Sequence, residues 1–153
     1  MKNWSWIFFV LLIVSACLDD ADCLRSADNA LVISFKKLSD GKADTVILYN
    51  ISALGADSIF YKSSEPDELD TLNGSALLAV NPYATETLFT FSFDGEDKTL
   101  KVGYKNETRF VSEECGSERV QYNLTILETQ FDSARVVNRL LSTSRTTNIE
   151  IYN

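Results

Sequence analysis

Cysteine is the residue type in this sequence whose spacing best predicts chemistry, beginning with Cys17. Cys17 closes an apolar stretch that begins at Trp4, and the small side chains of Ser15 and Ala16 suit a signal peptidase that cuts beside them. We interpret this pattern as a lipobox, with cleavage between Ala16 and Cys17 and attachment of a lipid to the Cys17 sulfur. The apolar stretch is too short to span a bilayer permanently. The alternative is a plain secretory signal, which would leave Cys17 available for a disulfide.

The other two cysteines, Cys23 and Cys115, are predicted to form a disulfide bond with each other. A lipid on Cys17 removes the odd thiol from an exported chain, and the remaining pair can oxidise in the periplasm or outside the cell, where disulfides persist. Chain-entropy arguments assign so long a loop closure about 4–5 kcal/mol of unfolding free energy. Because Cys23 follows Cys17 so closely, the folded body is expected within about 20 Å of the membrane.

Three carboxylates, Asp19, Asp20 and Asp22, lie between the first two cysteines, and no basic residue accompanies them. One interpretation is a solvated, disordered spacer. The other is an export signal, because the cluster resembles the acidic signal that sends Bacteroidetes-type lipoproteins to the outer face of the outer membrane. The predicted location is therefore the outer membrane, with either surface exposure or a periplasm-facing body.

Several kinds of chemistry are not expected, because the chain contains no histidine. It therefore lacks Ser-His-Asp and Cys-His arrangements and imidazole ligands for zinc, and no phosphate-binding glycine loop is present. We predict no catalytic residue, no metal and no cofactor. The formal net charge is −8, and removal of residues 1–16 takes away Lys2 but no acidic residue. Such a body repels nucleic acid, so no nucleic-acid partner is expected.

Carboxylates and aromatic rings offer two further sites, each with a structural alternative. Asp94, Glu96 and Asp97 share a tight turn and have the oxygen ligands that calcium prefers, but a solvated turn is the favoured interpretation. The three phenylalanines of segment 89–93 would suit a sugar-stacking platform. Their alternation with Thr90 and Ser92 instead favours a strand that faces the core.

The elements that must position these residues follow a hydrophobic alternation of period two, which is typical of half-buried strands. Turn residues separate the alternating runs, as in an all-β sandwich or barrel. We predict a single antiparallel domain of about eight strands. Residues 131–141 fit one short helix, but residues 134–138 also fit a strand. The predicted organisation is a signal peptide at 1–16, an acidic tether at 17–22 and one β domain at 23–153. The alternating runs are 31–35, 47–51, 89–93, 100–104, 120–126 and 147–152.

A set of short motifs resembles a Bacteroidetes family of uncharacterised lipoproteins, known only as a domain of unknown function. The resemblance implies one β-rich domain that is anchored at Cys17 and clasped by Cys23 and Cys115, and it implies no catalytic residue. The motifs are Cys17, Cys23, the stretch 77–82 before an aromatic strand, Cys115-Gly116 and the terminal segment 148–151.

Four triplets have an aspartate, a hydroxyl residue and then a small or aliphatic residue, which resembles the acceptor pattern of general protein O-glycosylation in these bacteria. The alternative is that the triplets carry no modification and only mark the starts of strands, where an aspartate beside a hydroxyl residue is common. The predicted acceptors are Thr45, Ser58, Thr71 and Ser133.

We therefore expect an outer-membrane lipoprotein whose β domain is a non-catalytic binding or structural module of the cell envelope. Its expected partners are the membrane, through the lipid anchor, and an envelope protein or a glycan. One alternative is a carboxylate-based glycan hydrolase, since the chain has 22 acidic residues. The other is a small protein inhibitor of a hydrolase, for which a disulfide-tied β domain is a suitable rigid scaffold.

Overall fold

Strands are the regular elements of the described part of the chain, which in this computed structural model comprises residues 30–54, 56, 61–62, 69–113, 116–141 and 146–153. Their bounds are β1 Ala30–Lys36, β2 Thr45–Leu48, β3 Asn50–Leu54, β4 Tyr61–Lys62, β5 Asp70–Asn73, β6 Ser75–Ala79, β7 Glu86–Ser92, β8 Asp97–Ser112, β9 Gly116–Thr129, β10 Ser133–Val136 and β11 Ile149–Tyr152.

The strands form three sheets, and none of the sheets closes into a barrel. A four-stranded sheet has the order β10-β11-β1-β6, a two-stranded sheet pairs β2 with β5, and a five-stranded sheet has the order β4-β3-β7-β8-β9. Neighbouring strands run antiparallel except β1 and β11, which are parallel. The all-β prediction is confirmed, the number of strands exceeds the expected eight, and the barrel alternative is wrong.

The core lies between the two larger sheets, as in a sandwich. Phe35 of β1 meets Phe91 of β7 edge to face, with ring centroids 6.1 Å apart, and Phe91 meets Phe131 in the same way at 5.2 Å. Phe89 and Phe91 are fully buried, and Phe93 packs against the same cluster. The aromatic strand therefore faces the core, as the alternation predicted, because burying these rings removes large apolar surfaces from water.

The alternation on either side of the 94–97 turn predicts a hairpin that joins residues 87–93 with residues 99–105. Strands β7 and β8 form this hairpin, with Glu86 opposite Gly103 and Ser92 opposite Asp97. The connecting turn contains Gly95, whose φ of 88° places it in the left-handed region that favours glycine. Gly95 therefore explains why the chain can make the predicted turn at this position.

The helical alternative for residues 131–141 is wrong. Residues 133–136 form β10, which pairs antiparallel with β11 and sets Ala134 opposite Ile151 and Val136 opposite Ile149. Ala134 and Val136 both pack against the core cluster. A strand is favoured because its period of two brings both apolar side chains onto one face, beside the two buried isoleucines.

One predicted face, shared by Ile47, Tyr49 and Ile51, is also wrong. Strand β2 ends at Leu48 and β3 begins at Asn50, so the chain leaves one sheet and enters another between them. Leu48 and Ile51 are buried, whereas Ile47 is exposed. The change of sheet interrupts the alternation, because each strand orients its side chains relative to its own sheet.

The predicted face along 120–126 is shifted by a bulge in β9. Gly103 pairs with Thr125 and Lys105 with Tyr122, so β9 has one residue more than β8 between these pairs. Asn123 adopts the left-handed conformation there, with φ 59°. As a result Gln121 is buried and Tyr122 is partly exposed, which is the reverse of the predicted pattern.

Candidate functional site

All residues of the predicted lipid anchor, export signal and disulfide lie outside the described residues. They are Ala16, Cys17, Asp19, Asp20, Asp22, Cys23 and Cys115, together with the predicted acceptor Ser58. The lipid attachment, the cleavage site, the export signal and the disulfide therefore stay predictions. Over the residues that the structure describes, no helix has the length and hydropathy needed to cross a membrane.

The other predicted acceptors, Thr45, Thr71 and Ser133, are exposed. Thr45 lies opposite Asn73, and Ile47 lies opposite Thr71, so both threonines share one face of the β2–β5 sheet. Their exposure makes them accessible to a modifying enzyme. The Asp44 carboxylate also accepts a hydrogen bond from the Thr45 backbone N–H at 3.0 Å, which is the strand-start chemistry of the alternative interpretation. O-glycosylation stays a prediction.

An acidic cleft of about 360 Å³ lies where β2, the β7–β8 turn and the chain before β10 meet. Its lining includes the carboxylates of Asp44, Asp94, Glu96 and Asp132 and the ammonium of Lys98. Lys98 Nζ lies 3.2 Å from Glu96 Oε1. The lining has three further side-chain carboxylates, those of Asp44, Asp94 and Asp132, and, among the described residues, no second lysine or arginine. The cleft therefore attracts positively charged groups.

The geometry of this cleft bears on the two carboxylate hypotheses. Asp94, Glu96 and Asp132 are exposed to water, whereas a glycoside hydrolase needs an acid with a raised pKa, which an apolar pocket provides. Within the described ranges, no three acidic, histidine or cysteine side chains are grouped so that they could hold a metal ion. The turn with Asp94, Glu96 and Asp97 has all three of these residues exposed.

A second surface lies on the far half of the β8–β9 hairpin. Strand β7 pairs with β8 only as far as Gly103, so residues 105–112 and 116–122 form a two-stranded extension, which we call the outer ribbon. Its base is anchored to loop 81–85 by a buried hydroxyl network. Tyr104 Oη donates to the Asn81 carbonyl at 2.6 Å and lies 2.7 Å from Thr87 Oγ1. Burial raises the pKa of Tyr104, so this phenol is a hydrogen-bond donor over the physiological pH range.

Two further contacts hold loop 81–85 against the outer ribbon. Asn106 Nδ2 donates to the Ala84 carbonyl at 2.6 Å, and an Arg119 N–H donates to the Pro82 carbonyl at 2.8 Å. Because the contacts come from both strands of the ribbon, loop and ribbon form one rigid surface at this end of the molecule.

Exposed aromatic rings flank Arg119 on that surface. The Arg119 guanidinium lies 4.9 Å from the centroid of the Tyr83 ring, and Tyr83 is nevertheless 86% exposed. Thr108 lies opposite Arg119 and Phe110 opposite Ser117, so these four side chains share one face of the ribbon. Phe110 is 67% exposed. We call these five residues the Tyr83–Arg119 patch.

The same face of the ribbon continues inward to two buried amides. Asn106 lies opposite Gln121, and Gln121 is fully buried. Among the described residues, neither polar atom of the Gln121 amide has a hydrogen-bond partner, and nor does the Oδ1 atom of Asn106. Such groups are rare in folded proteins because each one loses its hydrogen bonds to water on burial.

Sequence reasoning missed both the Tyr83–Arg119 patch and the buried Gln121. Tyr83 and Arg119 are 36 positions apart, and no local pattern indicates that they meet. Gln121 lies on the outward side of the predicted alternation, and only the left-handed Asn123 turns it inward. An asparagine within a strand pattern was the single available signal, because asparagine tolerates this conformation better than other residues.

Comparisons with known proteins give one match. Residues 48–153 match the profile of a family of unknown function (DUF6452). Neither the curated proteins nor the solved structures contain a significant match. The matched segment starts at the end of β2 and includes the acidic cleft's turn, loop 81–85 and the outer ribbon. Because the match covers more than half of the sequence, this chain belongs to that family of unknown function.

Proposed function

We propose that this protein is an outer-membrane lipoprotein whose β domain is a non-catalytic binding or structural module of the cell envelope. The observation that carries the proposal is the lipobox that ends at Cys17, a short distance before β1 begins at Ala30. The segment from Cys17 to Ala30 can extend no more than about 45 Å. A lipid on Cys17 therefore keeps the β domain close to the membrane surface.

The fold also supports the proposed disulfide of Cys23 with Cys115. Ala30 lies opposite Ala79 in the β1–β6 pair, and Ala79 leads directly into loop 81–85, which contacts the outer ribbon. The start of β1 and the base of the outer ribbon therefore lie at the same end of the molecule. In the sequence, Cys115 immediately precedes β9, and the segment from Cys23 to Ala30 can extend about 24 Å.

A binding role is favoured over catalysis by the character of the described surfaces. Three of the four carboxylates of the acidic cleft, Asp94, Glu96 and Asp132, are exposed, and Glu96 is paired with Lys98. The rigid outer ribbon presents rings and a guanidinium, which are groups that recognise partners through stacking and hydrogen bonds.

The lipid anchor is tested by fractionation of cells that express the wild-type chain or Cys17→Ala. We expect the wild type in the membrane fraction with a metabolically incorporated palmitate label, and the variant without label as an uncleaved or soluble chain. Ser15→Thr is a matched control that alters the lipobox without removing the sulfur. Equal labelling of wild type and Cys17→Ala would contradict the proposal.

The export signal is tested by replacing Asp19, Asp20 and Asp22 with alanine. If the acidic cluster directs export, the variant keeps its lipid but remains on the inner leaflet, and protease added to intact cells no longer degrades it. Unchanged degradation would assign these aspartates to a solvated spacer.

A further inference from the structure

Arg119 has no acidic partner among the described residues of this strongly acidic protein. The chain has 14 basic and 22 acidic residues, yet none of the ion pairs among the described residues includes Arg119. The Arg109 side chain, on the opposite face of the same ribbon, is paired with Glu118. Arg119 is instead held by the Pro82 carbonyl and the Tyr83 ring. Its other N–H groups are available to an external anion, and the planar guanidinium suits the two oxygens of a phosphate.

The two aromatic rings beside Arg119 expose apolar surface to water. Tyr83 and Phe110 are the most exposed of the large hydrophobic side chains in the described ranges, at 86% and 67%. Tyrosine has an apolar ring and a polar tip, and such rings collect at the headgroup level of membranes. A ring pair around a phosphate-binding cation matches a lipid surface, where apolar and phosphate groups lie at adjacent depths.

The position of the patch relative to the anchor points to the same occupant. Loop 81–85 and the base of the outer ribbon lie at the end of the molecule where β1 begins. If Cys23 is bonded to Cys115, the lipid on Cys17 lies within about 20 Å of the turn that joins β8 to β9. The rings of the Tyr83–Arg119 patch then lie beside the membrane that holds the lipid.

The acidic side chains within the two ribbon strands lie on the face opposite the patch, and the exposed Glu113 follows β8 at the tip of the hairpin. Glu107 and Glu118 lie on the face that also carries Arg109, whereas the patch face presents Thr108 and Ser117 around Arg119. The negative charge of the whole body still disfavours anionic lipids. The expected target is therefore the phosphate of a zwitterionic headgroup, such as that of phosphatidylethanolamine.

We propose that the Tyr83–Arg119 patch docks on the lipid surface of the anchoring membrane, with both rings at headgroup depth and the Arg119 guanidinium on a lipid phosphate. This inference rests on the proposed lipid anchor and disulfide. It gives the domain a fixed orientation, with the outer ribbon toward the lipid and the acidic cleft available to partners.

A single tryptophan can report the depth of the patch, because both native tryptophans lie within residues 1–16 and the proposed mature chain has none. Phe110→Trp puts an indole in the patch, and Tyr122→Trp puts one on the opposite face of the ribbon as the matched control. The acylated full-length mature proteins are reconstituted in vesicles of phosphatidylethanolamine and chain-brominated phosphatidylcholine. We expect a blue-shifted emission and severalfold stronger bromine quenching for Phe110→Trp than for Tyr122→Trp.

A second pair of variants tests the guanidinium. In the Phe110→Trp background, Arg119→Gln is expected to reduce the quenching severalfold, and Arg109→Gln, which makes the same charge change on the opposite face, is expected to leave it unchanged. Equal quenching at the two tryptophan positions, or equal effects of the two glutamine substitutions, would overturn the proposal.

Two further readouts separate this proposal from its alternatives. Mass analysis of the same samples reports the lipid on Cys17, so an acylated protein with an unquenched indole refutes the docking and leaves the anchor intact. If the indole is blue-shifted but unquenched, and substitution of Asp19, Asp20 and Asp22 by asparagine removes the shift, the acidic tether covers the patch and the docking proposal is wrong.

Discussion

A fully or almost fully buried amide lies at the edge of β11 in the four-stranded sheet and another in the outer ribbon, and the two amides differ in their hydrogen bonds. Asn148, just before β11, accepts a hydrogen bond from the Val32 N–H at 2.9 Å and donates to the carbonyls of Asn138 and Leu140. Gln121, in the ribbon, has no partner for either polar atom within the part of the chain that the structure describes. A buried amide stabilises a fold when its bonds are complete and weakens it when they are missing.

The difference extends to the surroundings of each amide. Strand β1 has its first six residues buried, so both of its faces are covered, whereas residues 107–110 of the ribbon are exposed. Stability is therefore concentrated in the four-stranded sheet, and the ribbon contains the unsatisfied polar atoms and the exposed rings. Departures of this kind from optimal packing are expected where a surface serves binding.

The proposed disulfide is the strongest test of this comparison, because it would join the chain before β1 to the end of the ribbon. We expect Cys23→Ser to lower the free energy of unfolding by up to about 4–5 kcal/mol, since the unfolded chain gains the entropy of a long open loop. The measurement is urea unfolding of the wild type and the variant, together with thiol titration. Two titratable thiols in the wild-type domain would show that the two regions are not cross-linked.

Removal of the Asn148 amide is expected to produce the next largest effect. Asn148→Ala leaves the Val32 N–H and the carbonyls of Asn138 and Leu140 without their partner, at a cost of about 2–4 kcal/mol. Urea unfolding measures the loss. Asn73→Ala, on the exposed face of the β2–β5 sheet, is the control and should change stability by less than about 0.5 kcal/mol. Similar losses in both variants would remove the distinction between the regions.

Gln121→Leu is expected to raise the free energy of unfolding, whereas Cys23→Ser and Asn148→Ala are expected to lower it. A leucine of similar length replaces two unsatisfied polar atoms with apolar ones in a fully buried site, so we expect a gain of about 1 kcal/mol in the free energy of unfolding. The same urea experiment reports it. A loss of stability instead would mean that the Gln121 amide is satisfied in solution, for instance by a buried water, and the ribbon would no longer be the weaker region.

The smallest expected effect is a pH dependence in the four-stranded sheet. The hydrogen bond from Arg135 on β10 holds the pKa of the Glu150 carboxyl on β11 below its usual value. A carboxyl with a lowered pKa in the folded state stabilises the fold above its unfolded pKa, and this contribution is lost as the pH falls through the folded pKa. Thermal unfolding across the acidic range should therefore show a slightly steeper loss for the wild type than for Glu150→Gln. Identical pH profiles would contradict the assignment.

The local parts of the fold were predictable from the sequence, and the non-local parts were not. The β7–β8 hairpin follows from alternating apolar residues on either side of a turn with a left-handed glycine. The parallel pairing of β1 with β11 joins strands at opposite ends of the domain, and no local pattern specifies such a partner. The bulge at Asn123 shifts the face of β9 by one residue, which the alternation alone cannot reveal.

The same division applies to the candidate site. The Cys17 anchor can be proposed from sequence alone because signal peptidases recognise a linear stretch of a chain before it folds. The Tyr83–Arg119 patch depends on loop 81–85 folding against the ribbon through Tyr104 and Asn106, and those contacts exist only in the folded domain. Residues that act through tertiary contacts leave no spacing pattern in the sequence.

The lipid on Cys17 is the central claim, since the location of the domain and the orientation of its outer ribbon both depend on it. The most direct measurement is tandem mass spectrometry of the N-terminal peptide from the protein isolated from its native membrane. The account predicts a peptide that begins at Cys17 and bears a lipid on the Cys17 sulfur. An N-terminal peptide with an unmodified Cys17 thiol, or with Cys17 in a disulfide, would contradict it.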